Sequence, residues 1–124
     1  MKKEIKTTNA QSAPALLSQA LVVDGLIFTS GFIHLTPEGK LVDGTTEDEF
    51  KQVMKNIEEV LKAAKSDLND VIKVTIYVTD ISILSELNKL YVTYFNEPYP
   101  VREAVCVKEL PLGANIEISV VAKG

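Results

Sequence analysis

The sequence predicts a two-layer α+β fold, in which two helices cover one face of a mixed sheet in the order β-β-α-β-α-β-β. Two stretches place apolar residues at helical spacing, and shorter apolar or alternating stretches are typical of strands. Turn-forming residues separate them. At 124 residues the chain is long enough for one core, so we expect a single domain over residues 1–124.

The first two strands are predicted near 19–23 and 26–31. Asp24-Gly25 joins these apolar runs and tolerates the positive φ angles of a tight hairpin turn. The Pro- and Gly-containing stretch 32–44 is expected to be a loop with at most a short strand.

Both helices are predicted from apolar residues three and four positions apart. The first spans roughly 47–65, where Thr46 and Glu49 fit a capping box. The second begins near Asp80 or Ser82 and ends at the NEPYP segment.

The later strands alternate between an apolar and a mixed face. In the 71–79 strand, Ile72, Val74, Ile76 and Val78 are expected to face the core. Two further strands are predicted at about 101–107 and 115–122.

In these last two strands the valine and isoleucine positions are expected to face the helices. Arg102, Ala104 and Cys106 would then point away from the helices, as would Glu117. That outer face is too apolar to leave in water, so a second subunit is expected to cover it. Arg102 and Glu117 would share this subunit interface.

Composition excludes several functions. With 17 acidic and 13 basic residues, the chain has no basic stripe to neutralise phosphates, so nucleic acid is not an expected main partner. One cysteine and one histidine leave no internal disulfide and no multi-histidine metal site. A polar N-terminus and the lack of a membrane-length apolar run predict a cytoplasmic protein with no membrane partner.

Arg102 and Glu117 are the candidate catalytic residues. An enclosed arginine holds a carboxylate through two hydrogen bonds, and a buried glutamate can order or deprotonate a water. The pair favours hydrolysis of a small carboxylate-bearing molecule, although it could instead form a structural bridge.

The other polar residues have weaker signals. Ser30, at the end of the second strand, could meet a ligand, but a hydroxyl bonded to local backbone is the favoured interpretation. Cys106 is expected to pack as a small apolar residue, and His34 to lie at the surface or an interface.

Several motifs give the sequence a family resemblance. They include Pro100-Val101-Arg102, Lys108-Glu109-Leu110-Pro111, Ile116-Glu117-Ile118 and Thr29-Ser30-Gly31. With these, nearly the whole chain resembles the RidA/YjgF family of enamine/imine deaminases, also labelled L-PSP endoribonucleases or translation inhibitors.

The resemblance implies a chorismate-mutase-like fold and a homotrimer with sites between subunits. It further implies that Arg102 binds the substrate carboxylate, that Glu117 positions the attacking water, and that Ser30 and Gly31 contribute to the same pocket. The implied substrates are reactive 2-imino acids released by pyridoxal-phosphate enzymes. Their hydrolysis gives 2-keto acids and ammonia, and no cofactor or metal is implied.

The chain departs from the family pattern around the implied pocket. Leu17 stands where a tyrosine is common, and Ala104 where a cysteine is frequent. Glu103 replaces a small residue, and Phe32-Ile33-His34 replaces Gln-Ile-Pro.

These departures keep two other functions open. The first is a non-catalytic protein that binds or responds to small carboxylates. The second, an endoribonuclease or translation inhibitor, is disfavoured by the acidic charge.

Overall fold

The computed structural model describes all 124 residues and contains seven strands and two helices. The strands are β1 (Lys3–Ile5), β2 (Ala20–Val23), β3 (Leu26–Thr29), β4 (Phe32–Ile33), β5 (Val71–Val78), β6 (Val101–Cys106) and β7 (Ile116–Lys123). The helices are α1 (Thr46–Ala63) and α2 (Leu84–Tyr91). Neither helix has the length and apolar character needed to cross a membrane.

All strands join one mixed sheet in the order β1-β2-β3-β7-β5-β6, with β4 paired to β7. Only β5 and β6 are parallel, because α2 connects them by a crossover. The predicted hairpin is confirmed: Asp24 and Gly25 have φ angles of 50° and 77°. The predicted order lacked β1, whose three residues are too few to show a period.

The core lies between the helices and one face of the sheet, as predicted. The apolar face of α1 is fully buried, and Leu87 and Tyr91 bury the inner side of α2. The predicted capping box at Thr46 and Glu49 is wrong. Thr45 is the cap, because it lies in extended backbone and its hydroxyl accepts the Asp48 N–H at 3.1 Å.

One core position in β5 was also wrongly predicted. Ile72 is 46% exposed, whereas Val71, Val74, Ile76 and Val78 are buried. The register against β7 shifts between Val71 and Lys73, and this irregularity interrupts the alternation at Ile72. The predicted faces of β7 are confirmed.

Candidate active site

Glu117 lies near the start of β7, on the sheet face opposite the helices. Its neighbours Ile116 and Ile118 are fully buried, so strand alternation places its side chain on the other, open face. The residue is half-buried, and no group of the chain donates a hydrogen bond to its carboxylate or pairs with it. Burial alone raises the pKa of Glu117 above the usual glutamate range.

Gly31 forms the wall against which the Glu117 carboxyl group lies. A β-carbon at position 31 would stand 2.8 Å from Cδ of Glu117 and still closer to Oε2. Gly31 does not have a positive φ, so the requirement for glycine here is one of space. This contact joins the Thr-Ser-Gly motif to the glutamate.

Ser30 adjoins Gly31 in the chain, whereas Leu17 lines a cavity that contains none of the other predicted site residues. The Ser30 hydroxyl donates to the Ser18 carbonyl at 2.7 Å, which is the local backbone contact favoured from the sequence. Leu17, next to Ser18, is 43% exposed and lines a surface cavity of about 480 Å³. Leu17 gives this cavity an alkyl side chain, which offers no hydrogen bond.

Arg102 lies in the edge strand β6 and contacts α2. Its Nη2 donates to Oδ1 of Asn88 at 2.6 Å, and its Cζ lies 4.7 Å from the centre of the Tyr91 ring. These three residues line a hollow of about 310 Å³ together with Val92 and Tyr99. Ala104, two positions further on the same face, packs against the core.

The predicted shared face of Arg102 and Glu117 is wrong. Arg102 pairs with buried Val74 and so faces the helices, whereas Glu117 pairs with Tyr77 on the open face. Two strand spacings and three residues along the strands separate their Cα atoms by about 14 Å. Within one chain the two groups cannot hold the same small molecule.

The exposed valines explain the error. Val101 and Val105, which were expected to face the helices, are 66% and 45% exposed on the open face. β6 carries apolar residues on both faces, so apolar alternation does not tell which of its faces meets the core.

His34 was predicted at the surface or an interface, but it is 1% exposed. Its Nδ1 donates to the Val42 carbonyl at 2.6 Å, and its Nε2 accepts the backbone N–H of Asn115 at 2.9 Å. These partners define a neutral imidazole with the proton on Nδ1. The Asn115 amide also donates to both oxygens of buried Glu49 at 3.1 Å. A single histidine in the sequence gives no indication of this network. The network holds Asn115, which lies two residues before Glu117.

Glu103 and Cys106, also in β6, take no part in the contacts of Glu117 or Arg102. Glu103 is exposed on the open face, 3.6 Å from the Lys73 ammonium group. Cys106 is also exposed, so the prediction that it packs as a small apolar residue is wrong.

Comparison with known proteins identifies the family. The model of the family described as Endoribonuclease L-PSP matches residues 7–123. The chain belongs to this family, which is the RidA/YjgF family. Its α+β fold is that of the family as well: the Rid-family protein YyfA from Yersinia pestis superposes with a TM-score of 0.96 at 39% identity, with all of both chains covered.

Curated relatives of this RidA/YjgF chain include Protein HMF1 of Saccharomyces cerevisiae. It is 44% identical over 114 residues, which cover 92% of this chain and 88% of the yeast protein. A mouse protein named 2-iminobutanoate/2-iminopropanoate deaminase is 42% identical over 123 residues, covering 98% and 91% of the two chains.

Proposed function

We propose that this RidA/YjgF protein hydrolyses 2-imino acids, and their enamine tautomers, to 2-keto acids and ammonia. The observation that carries the proposal is the Glu117 carboxylate, which is half-buried, unpaired and seated against Gly31. A carboxylate that binds no group of its own chain is available to bind water. The deaminase name of the mouse relative supports the same reaction.

Glu117 acts as the base in this proposal. It accepts a proton from water while the water oxygen attacks the imine carbon, and it passes this proton to the imine nitrogen, which gives a tetrahedral amino alcohol. The hydroxyl proton of the amino alcohol then passes to the amine nitrogen as the C=O bond forms and the C–N bond breaks, so that ammonia and the 2-keto acid are released. Because burial raises the pKa of Glu117, its carboxylate is a stronger base than one in water.

Arg102 provides the complementary charge. It is the only arginine of the chain, and no carboxylate of the chain lies within 4 Å of it. A substrate carboxylate can therefore take a two-pronged hydrogen bond from its guanidinium group. Ser30, Gly31, Leu17 and Ala104 remain the proposed pocket residues around the two charged groups.

The site requires a second subunit, and we propose the homotrimer. Glu117 and Arg102 lie on opposite faces of one sheet, so they meet only if the Arg102 edge of one chain approaches the open face of another. That open face displays Phe28, Val101 and Val105, each at least 44% exposed. Burying this apolar surface stabilises an assembly.

A coupled assay tests the chemistry. A serine or threonine dehydratase generates the enamine, and 2-keto acid formation is followed with the wild type, Arg102→Ala and Glu117→Gln. We expect faster release with the wild type and the uncatalysed rate with both variants. Equal acceleration by the wild type and Arg102→Ala would exclude the proposed reaction.

Mixing the two inactive variants tests the shared site. If Arg102 and Glu117 act from different subunits, an equimolar mixture that is dissociated and reassociated regains about a quarter of the sites. Arg102→Ala mixed with the double variant is the matched control and regains none. Light scattering should give the mass of three 13.6 kDa chains. A monomeric mass, or a mixture that stays inactive after exchange, would contradict this assembly.

Leu17 favours the second candidate, a non-catalytic small-carboxylate-binding protein. Its alkyl side chain cannot give the hydrogen bond of the tyrosine common in the family. Calorimetric binding of a 2-keto acid by a wild type that is inactive in the coupled assay would support this candidate.

Retained RNA cleavage by the Arg102→Ala, Glu117→Gln double variant would assign the ribonuclease label to another site.

A further inference from the structure

The Arg102 side chain is held in place without being neutralised. Its two side-chain contacts, with Asn88 and Tyr91, both come from α2 and carry no formal charge. Long arginine side chains lose rotamer freedom when they bind, so holding one in advance lowers the cost of binding. An acidic residue in place of Asn88 would also hold the arginine, but it would compete with a ligand carboxylate.

Asn88 and Tyr91 are three residues apart and therefore lie on the same side of α2. Asn88 takes one N–H of Nη2 at 2.6 Å, while the Tyr91 ring covers one face of the guanidinium at 4.7 Å. Arginine has five N–H donors, so four remain for a ligand. The hydrogen bond from Arg102 to Asn88 and the contact with the Tyr91 ring together limit rotation of the planar guanidinium group.

The Tyr91 hydroxyl contributes nothing to this arrangement. It is buried and has no hydrogen-bond partner. The ring itself is fixed by Phe95, whose centroid lies 4.7 Å away. Attraction between a cation and the ring face needs an aromatic ring and no phenol oxygen.

We propose that Asn88 and Tyr91 are positioning residues, which hold the Arg102 guanidinium ready for a ligand carboxylate. The inference depends on the proposed role of Arg102 in binding that carboxylate. Asn88 fixes the direction of one N–H group of the guanidinium, and Tyr91 fixes the orientation of the guanidinium plane. Neutral partners leave the full positive charge of Arg102 for the ligand.

Calorimetry with 2-oxobutanoate tests the two contacts. Tyr91→Leu removes the ring face, and binding should weaken about tenfold because Arg102 must then be ordered by the ligand. Tyr91→Phe restores the ring and should restore binding. Asn88→Asp should weaken binding more than Tyr91→Leu, because its carboxylate pairs with Arg102. Asn96→Asp adds the same charge at another exposed position and should bind as the wild type does.

Steady-state kinetics separate positioning from a general structural effect. Asn88→Asp should raise KM for the imino acid and change kcat much less, because the contact is lost in the ground state and in the transition state alike. Asn88 is exposed, so this variant leaves the core intact if Tyr91→Leu fails to fold. Calorimetry of Arg102→Ala separates the two proposals. If Arg102→Ala binds 2-oxobutanoate as the wild type does, the proposed function fails. If Arg102→Ala loses binding while Asn88→Asp keeps it, only the positioning role fails.

Discussion

Replacing Gly31 with alanine should separate catalysis from stability. The new β-carbon would stand 2.8 Å from Cδ of Glu117, whereas carbon atoms in contact are at least about 3.5 Å apart. The carboxyl group must therefore move by about 0.7 Å or more. Gly31 has no positive φ, so alanine brings no backbone strain there.

The displaced group is the end of a flexible side chain, and this determines the size of each effect. Turning the Glu117 side chain away from its preferred rotamer costs about 0.5–1.5 kcal/mol of unfolding free energy. A catalytic group displaced by about 1 Å, in contrast, lowers the rate about 10²-fold. We therefore expect Gly31→Ala to lose about 10²-fold in kcat/KM while its thermal unfolding changes little.

Gly44→Ala is the matched control. Its β-carbon would stand 2.9 Å from the Asp48 carboxylate, a similar clash with an acidic side chain outside the site. It should match Gly31→Ala in stability and retain activity. In a Glu117→Gln background, which is expected to show only the uncatalysed rate, Gly31→Ala should cause no further loss. The reasoning is refuted if Gly31→Ala has wild-type kcat/KM, or if Gly44→Ala loses as much activity as Gly31→Ala.

Three further predictions concern protonation and packing. Burial raises the pKa of Glu117, and its charged form is the proposed base. On acidification, kcat/KM should therefore begin to fall at a higher pH than it would for an exposed glutamate. A pH profile whose acid limb lies in the usual glutamate range would contradict this. His34→Leu removes the buried ring that pairs the Val42 carbonyl and the Asn115 N–H, so urea denaturation should show a loss of about 1–3 kcal/mol in unfolding free energy. A loss below about 0.5 kcal/mol would mean that water replaces the ring. Ile72→Thr should change the urea midpoint little, while Val74→Thr should lower it clearly, because only Val74 is buried; equal midpoints would contradict the observed register.

Much of the fold could be predicted because its signals are local. The spacing of Phe50 to Leu61 identified α1, the Asp24-Gly25 turn identified the hairpin, and alternation about Glu117 identified the faces of β7. Each pattern depends on residues within one element. β1 and the exact helix cap were missed, since three residues carry no period and two adjacent threonines offer the same hydroxyl.

The site was less predictable because it depends on distant parts of the chain. Asn88 and Tyr91 fall within the predicted second helix, but nothing local linked them to Arg102, which lies across the α2–β6 connection. Burial of His34 likewise requires Asn115, 81 residues away. Long-range pairs of this kind have no signature in a single sequence.

The sequence by itself determined the α+β class, the core faces of α1 and β7, and the outward direction of Glu117, because side-chain direction follows from helix and strand periodicity. The tertiary structure decided that Arg102 faces α2 and that Glu117 lies on the other side of the sheet. Both faces of β6 could have met the core, and only its parallel register with β5 selects one. That choice separates the two charged groups within a chain, and it is the physical reason to look for the complete site between subunits.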